Sequence, residues 1–316
     1  MGKFLKVCMI IGIICIGVGV AASAAGVSLG GLSQLKEQVL NGEWSFDMED
    51  ILGESAGIDF DVEPFFELEG QQFFDDGTKV EEGAEKLEYA FSTEGLTDIH
   101  MKSAGVTVKF MAHNGSEILV YASKTGKYQN YVRDNELSIT VSGQSEKNLG
   151  EGLVEILIPQ SLLEGAQMDM DIKASASAIE LGSFTLNEAE FEISAGTVSW
   201  HGLAARELTV EMTAGTVNGA GTYITATTDI EMNAGSVELT GSLGAETELE
   251  VMAGKLSLLL ENAYTDFNYD ISCAGGSITV GEETLQGLGK ELKQNNKAPN
   301  SMDIECSAGA VDIQFQ

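Results

Sequence analysis

Positive charge is what this chain has least of: 17 Lys and Arg stand against 49 Asp and Glu in 316 residues, a formal net charge of -32. That balance excludes nucleic acid as a partner, because phosphate binding needs a basic footprint. It also weakens contact with anionic lipid or anionic wall polymer, and favours a divalent metal such as Ca²⁺, a cationic peptide or a basic surface protein. Proline is scarce, at 3 residues, and aromatics make up 7%. The three histidines, His100, His113 and His201, have no partner at metal-ligand or triad spacing. His201, following Trp200, reads as a turn residue. A nucleophile elbow, a phosphate-binding glycine loop and a calcium repeat with Asp at fixed offsets are all missing from the sequence. No catalytic residue and no bound cofactor is therefore expected.

What the chain does have is glycine, 37 residues, with 43% hydrophobic content. Gly-rich, Pro-poor and β-branched sequence suits many short strands joined by tight corners. Between Lys6 and Lys36 there is no charged residue, and Val7 to Val27 is almost continuously apolar, matching the ~20 residues of a membrane-spanning helix. Lys3 and Lys6 precede this segment and acids follow it, which places the body of the protein outside the cell membrane as a single-pass protein. Ala22-Ser23-Ala24 leaves open the alternative of a cleaved export signal and a secreted body. Three regions result: 1–30 as anchor or signal peptide, 31–88 as juxtamembrane segment and acidic linker or cap, and 89–316 as repeat body. Residues 43–88 carry sixteen Asp or Glu against Lys79 and Lys86, with Phe65-Phe66 and Phe73-Phe74 as the material for a cap.

From Lys173 the chain repeats one phrase: IKASASAIEL, FEISAGTVSW, VEMTAGTVNG, IEMNAGSVEL, LEVMAGKLSL, ISCAGGSITV and IECSAGAVDI. Taking Ser177, Gly196, Gly215, Gly235, Gly254, Gly276 and Gly309 as anchors, the repeat is about 19–22 residues, with a longer last interval. Such a period predicts an all-β, single-domain, parallel β-solenoid in which each coil buries its apolar face on the next. Three residues before the anchors stand Ala174, Ile193, Met212, Met232, Val251, Cys273 and Cys306; five before stand Ile172, Phe191, Val210, Ile230, Leu249, Ile271 and Ile304. Apolar positions two and four after the anchors complete the interior, so the chain must turn a corner at each anchor. Gly219 breaks the pattern where a large apolar residue is expected. IHMKSAGVTVKF fits the template with Ala104 as anchor, placing Ile99, Met101, Val106 and Val108 inside. Residues 117–122, 136–142 and 153–158 read as strands, and 281–300 as a polar surface loop.

The hydrophobic amino-terminal segment, the strand ending in Ile158-Pro159 and the repeated strand, small-Gly, strand units together resemble the bacterial "putative adhesin" family, a β-strand-repeat domain of unknown function. The resemblance covers roughly residues 89–316 and implies a solenoid on the cell envelope and surface attachment; it carries no site residues with it.

The outward positions hold the main candidate site. Six and four residues before the anchors lie Asp171, Glu190, Glu192, Glu211, Asp229, Glu231, Glu248, Glu250, Asp270, Asp303 and Glu305, with Lys173 as the basic residue beside them. Stacked at ~4.8 Å, these eleven carboxylates form one acidic ladder for Ca²⁺, a cationic peptide or a basic partner. Each neighbouring pair costs about 1 kcal/mol or less in water. Cys273 and Cys306 share an interior column, within reach of a disulfide. The expected function is a non-enzymatic, membrane-tethered surface module for adhesion, partner binding or envelope-stress sensing. A carbohydrate-active β-helix enzyme and a structural stalk are the alternatives.

Overall fold

The computed structural model describes residues 78–82, 86–123, 126–143 and 152–316. The apolar segment, with its expected membrane helix, and the Phe pairs lie outside the described residues; among those described, no helix is long and apolar enough to cross a membrane. The described part is all-β, and its twenty strands join one hydrogen-bonded sheet. The N-terminal part contributes β1 (Thr78–Glu82), β2 (Lys86–Ser92), β3 (Asp98–Ala104), β4 (Val106–His113), β5 (Glu117–Ser123), β6 (Gly126–Arg133), β7 (Glu136–Gly143) and β8 (Gly152–Pro159). A four-residue helix, α1 (Gln160–Leu163), follows. The repeats form β9 (Asp169–Leu181), β10 (Phe184–Met212), β11 (Thr216–Met232), β12 (Ser236–Ser242), β13 (Glu246–Val251), β14 (Lys255–Leu260), β15 (Phe267–Cys273) and β16 (Ser277–Val280). Last come β17 (Glu283–Gln286), β18 (Lys290–Gln294), β19 (Asn300–Cys306) and β20 (Ala310–Phe315).

Through the middle of the stack the coils follow one another in sequence and in parallel register. Phe191 pairs with Ile172, Val210 with Ile230, and Ile230 with Leu249. The interior columns are buried as the alternation requires: Ile172, Phe191, Val210, Ile230, Leu249 and Ile304 have no measurable exposure. Alternation with period 2 puts every second residue on the same face, so this burial follows directly from the apolar parity.

Both ends abandon the sequential order. At the C-terminal end β19 and β20 slot between β13/β14 and β15/β16, so the last coil in sequence is the second-to-last in space. Residues 281–300 are not a plain loop there. β17 pairs antiparallel with β16 and β18 with β15, covering an edge that would otherwise present unpaired backbone groups. Asn268 pins the return by donating from Nδ2 to the Ala298 carbonyl at 2.8 Å and accepting from Ala298 N–H at 3.1 Å. At the N-terminal end β3 and β4 lie on β9, while β7 and β8, later in sequence, lie outside them. Antiparallel β6 then covers β7, and β5, β2 and β1 extend from β8.

The first unit is registered two residues away from the alignment that takes Ala104 as anchor: Met101 pairs with Ile172, and Val108 with Ile179. Ile99, Met101, Val106 and Val108 are buried all the same. A slip of two preserves parity, so alternation alone cannot detect it.

Four of the corner glycines, Gly196, Gly215, Gly235 and Gly254, have a double reason to be glycine. Gly235 sits at φ 112°, and a Cβ there would overlap the Gly215 carbonyl oxygen and stand 2.9 Å from Gly215 N. Gly219, the exception in the apolar column, is filled from the side by a neighbour. It pairs with Trp200, whose indole stacks on Phe191 at 5.2 Å and donates from Nε1 to Thr222 Oγ1 at 2.9 Å.

Candidate functional site

The backbone register gathers the predicted carboxylates into columns on the outer face. In one column His100 pairs with Asp171 and Asp171 with Glu190; further along, Asp229, Glu248, Asp303 and Asp270 are successive neighbours, ending on Lys293. In the parallel column Lys102 pairs with Lys173 and Lys173 with Glu192, while Glu211, Glu231, Glu250 and Glu305 follow one another. None of the eleven carboxylates is buried. The ladder therefore runs in spatial order through Asp303 before Asp270, because the last coil is inserted.

Lys173 is not the one basic neighbour. His100 Nδ1 lies 2.6 Å from Asp171 Oδ2, and Lys293 pairs with Asp270. With Lys173 bonded to Glu192, basic residues stand at both ends of the first column but only at the Lys102 end of the second, which runs from Glu305 through Ser272 to Glu291. Glu211, Glu231, Glu250 and Glu305 have no paired cation among the described ion pairs. Sequence spacing hides the His100 pair because the two residues stand on distant strands; the two-residue slip in register is what brings His100 opposite Asp171.

A third acidic column lies beside the two that the repeat predicts. Glu136, Asp98, Asp169 and Glu188 are successive partners, eight residues before the anchors in the repeat. Extending the outward parity by one more step finds it. This column and His100 enclose a depression of ≈ 220 Å³, lined by Asp98, Glu136, Asp169, Asp171, Glu188 and Glu190. Asn187 Nδ2 donates to Asp169 Oδ1 at 2.7 Å, and Arg206 Nε donates to Asn187 Oδ1 at 3.0 Å. Asp171, Glu190 and Glu192 each bring one carboxylate oxygen within 4.8 Å of the others, a spread that oxygen-ligated Ca²⁺ can span. Any such ion must compete with the Lys173 ammonium already held by Glu192.

Burial and like charge push several carboxyls above their ordinary range. For Glu190 burial is the larger cause, followed by Asp171 and Glu192; for Glu188 it is burial, then Asp169 and Glu207. Burial raises Asp229, and burial followed by neighbouring acids raises Glu231 and Glu248. A carboxyl whose pKa is higher folded than unfolded binds its proton more tightly in the native state, so its ionisation destabilises the fold. Acidification from neutrality toward the ordinary carboxylate value of 4.5 is therefore expected to raise the unfolding midpoint before general protonation lowers it. A midpoint that falls steadily from pH 7 downward, followed by circular dichroism, would refute this.

Cys273 and Cys306 are direct partners across β15 and β19, both buried and both free thiols. Burial pushes the Cys306 thiol up, and Cys273 beside it adds to the shift. His201 is exposed, its carbonyl accepting a hydrogen bond from Ser183 Oγ at 2.9 Å.

Comparison with known proteins adds to this geometry. A family model described as Toastrack DUF4097 matches residues 96–258. The protein is similar to the crystal structure of a "putative cell adhesion protein" from Clostridium sporogenes, at 14% identity over 73% of this chain and 99% of that one, with a TM-score of 0.31. It is also similar to a "putative adhesin" from Bacteroides fragilis, at 11% identity over 73% and 98%, TM-score 0.33, and to another from Parabacteroides merdae, at 7% identity over 76% and 100%, TM-score 0.23. No curated protein matches.

Proposed function

The chain belongs to the Toastrack DUF4097 family, and from that premise we propose that it is a non-enzymatic module, tethered to the cell membrane by its apolar segment, that docks a cationic partner on its acidic face. The observation that carries this reading is the registration of the acids with the repeat. Glu211, Glu231, Glu250 and Glu305 recur at one position on successive coils of a rigid sheet. A surface that only needed solubility has no reason to align its charges, since aligned like charges repel. An extended basic strand or peptide laid along the stack would meet one carboxylate per coil, every ~4.8 Å. A basic surface protein or cationic peptide supplies the opposite charge along this row; Ca²⁺ is the small competitor for the same oxygens.

The regularity also argues for binding rather than turnover, because a catalytic site is local and sets its carboxylates in contrasting environments. The test uses residues 43–316 and an oligolysine peptide at physiological salt. Changing Glu192, Glu211, Glu231 and Glu250 to Gln is expected to weaken binding at least about tenfold, each lost contact counting for under about 1 kcal/mol. The control removes the same charge elsewhere, at the exposed residues Glu94, Glu117, Glu261 and Glu283. Equal losses in the two variants would mean that net charge, not the ladder, does the binding. Millimolar Ca²⁺ is expected to raise the unfolding midpoint more than NaCl of equal ionic strength, and to do so only in the protein with the intact ladder.

A further inference from the structure

Asn114, Gly115 and Ser116 carry the chain from β4 to β5, the two strands that flank β8, and all three are exposed. His113, the last residue of β4, folds its imidazole onto this turn. Its Nε2 lies 2.9 Å from the Glu117 carbonyl oxygen, and its Nδ1 is 3.2 Å from the Gly115 amide nitrogen. A carbonyl oxygen can only accept, so Nε2 carries the proton and Nδ1 presents its lone pair to Gly115 N–H. The imidazole is thus a base seated on the backbone amide that directly follows an asparagine. Only glycine permits this: a Cβ at 115 would stand 2.7 Å from Nδ1.

The geometry points to Asn114–Gly115 as a self-modifying site, where His113 is the general base for cyclisation of Asn114. The His113 Nδ1 takes the Gly115 amide proton, and the nitrogen's electron pair forms a bond to Asn114 Cγ. The Cγ–Nδ2 bond of Asn114 breaks, and the imidazolium returns the proton to the departing amide nitrogen, which leaves as ammonia. Water then opens the five-membered imide at either carbonyl, giving aspartate or the β-linked isomer in which the backbone runs through the side chain. No oxidant or reductant is needed, and the substrate is the protein itself. The outcome is a new carboxylate on an exposed turn and, in the isomer, one added backbone atom between β4 and β5. The second Asn-Gly pair among the described residues, Asn218–Gly219, is held within β11 with Gly219 buried against Trp200, and has no such base.

The test holds the full-length protein at neutral pH, native or unfolded in urea, and follows each Asn-Gly peptide by mass spectrometry, with hydroxylamine cleavage between residues 114 and 115 as the trap for the cyclic intermediate. The expected result is conversion at Asn114 several-fold faster in the folded protein than in urea, with Asn218 unconverted in the folded protein. His113→Phe keeps a flat ring but removes the base, and is expected to bring the folded rate down to the unfolded one or below while leaving the rate in urea unchanged. A folded wild-type protein that converts no faster than the unfolded one would overturn the proposal, whatever the stability of the variant. So would a folded His113→Phe variant that converts as fast as wild type.

Discussion

Gly235→Ala is expected to destabilise the fold by about 3 kcal/mol or more, although it adds a single methyl group to a corner. Two costs combine. The φ of 112° is one that side chains rarely adopt, worth about 1–3 kcal/mol by itself. The added Cβ would also overlap the Gly215 carbonyl oxygen of the coil beneath, and backbone held by parallel pairing on both sides has no rotamer by which to yield. For a body of this size each kcal/mol lowers the midpoint by roughly 2–4 °C. Gly287→Ala is the control, because Gly287 has a φ of 100° but nothing within 4 Å of a Cβ. It carries the dihedral cost without the clash. Equal shifts for the two variants would show that close stacking at the corners contributes nothing.

The second large effect concerns Trp200. Trp200→Leu is expected to cost about 3 kcal/mol, toward the lower end of large-to-small aromatic changes because part of the volume is kept. It removes the stack on Phe191 and leaves Thr222 Oγ1 without its indole donor. Gly219→Val alone is expected to be as harmful, since its Cβ would overlap the indole and stand 2.6 Å from Leu239 Cδ2. Together the two should be less damaging than their sum by about 1–3 kcal/mol, because they exchange one large and one absent side chain for two of ordinary size in the same column. Urea unfolding of the wild type, the two single variants and the double variant measures the coupling. Additivity within about 0.5 kcal/mol would mean that the missing side chain at 219 is unrelated to the large one at 200.

Gly219 shows how far column reasoning reaches. The alignment marks it as an anomaly but cannot say what fills the gap, because the compensating residue is on the neighbouring coil and reaches sideways. His100 shows the same limit for the site. Its partner Asp171 stands far along the sequence, and β3 had to be placed on β9 before the pair existed. Residues 281–300 are less legible still. A polar composition with three lysines reads as surface loop, whereas β17 and β18 owe their strand pairing to the open edges of β16 and β15 that they cover.

The sequence by itself determined the class of fold, the length of the repeat, which face of each strand is buried and which acids share an outer column. All of these follow from local alternation with period 2, repeated in phase from one anchor to the next. Only the tertiary structure decided which coil lies next to which. Backbone pairing between parallel strands is chemically the same at every edge, and β13, β15 and β19 present the same apolar column through Leu249, Ile271 and Ile304. Their order is therefore set by what the connections allow. β17 and β18, paired antiparallel with β16 and β15, close those strands as the end of the stack and send the last coil inward, so the acidic ladder runs from His100 and Lys102 at one end to Lys293 at the other.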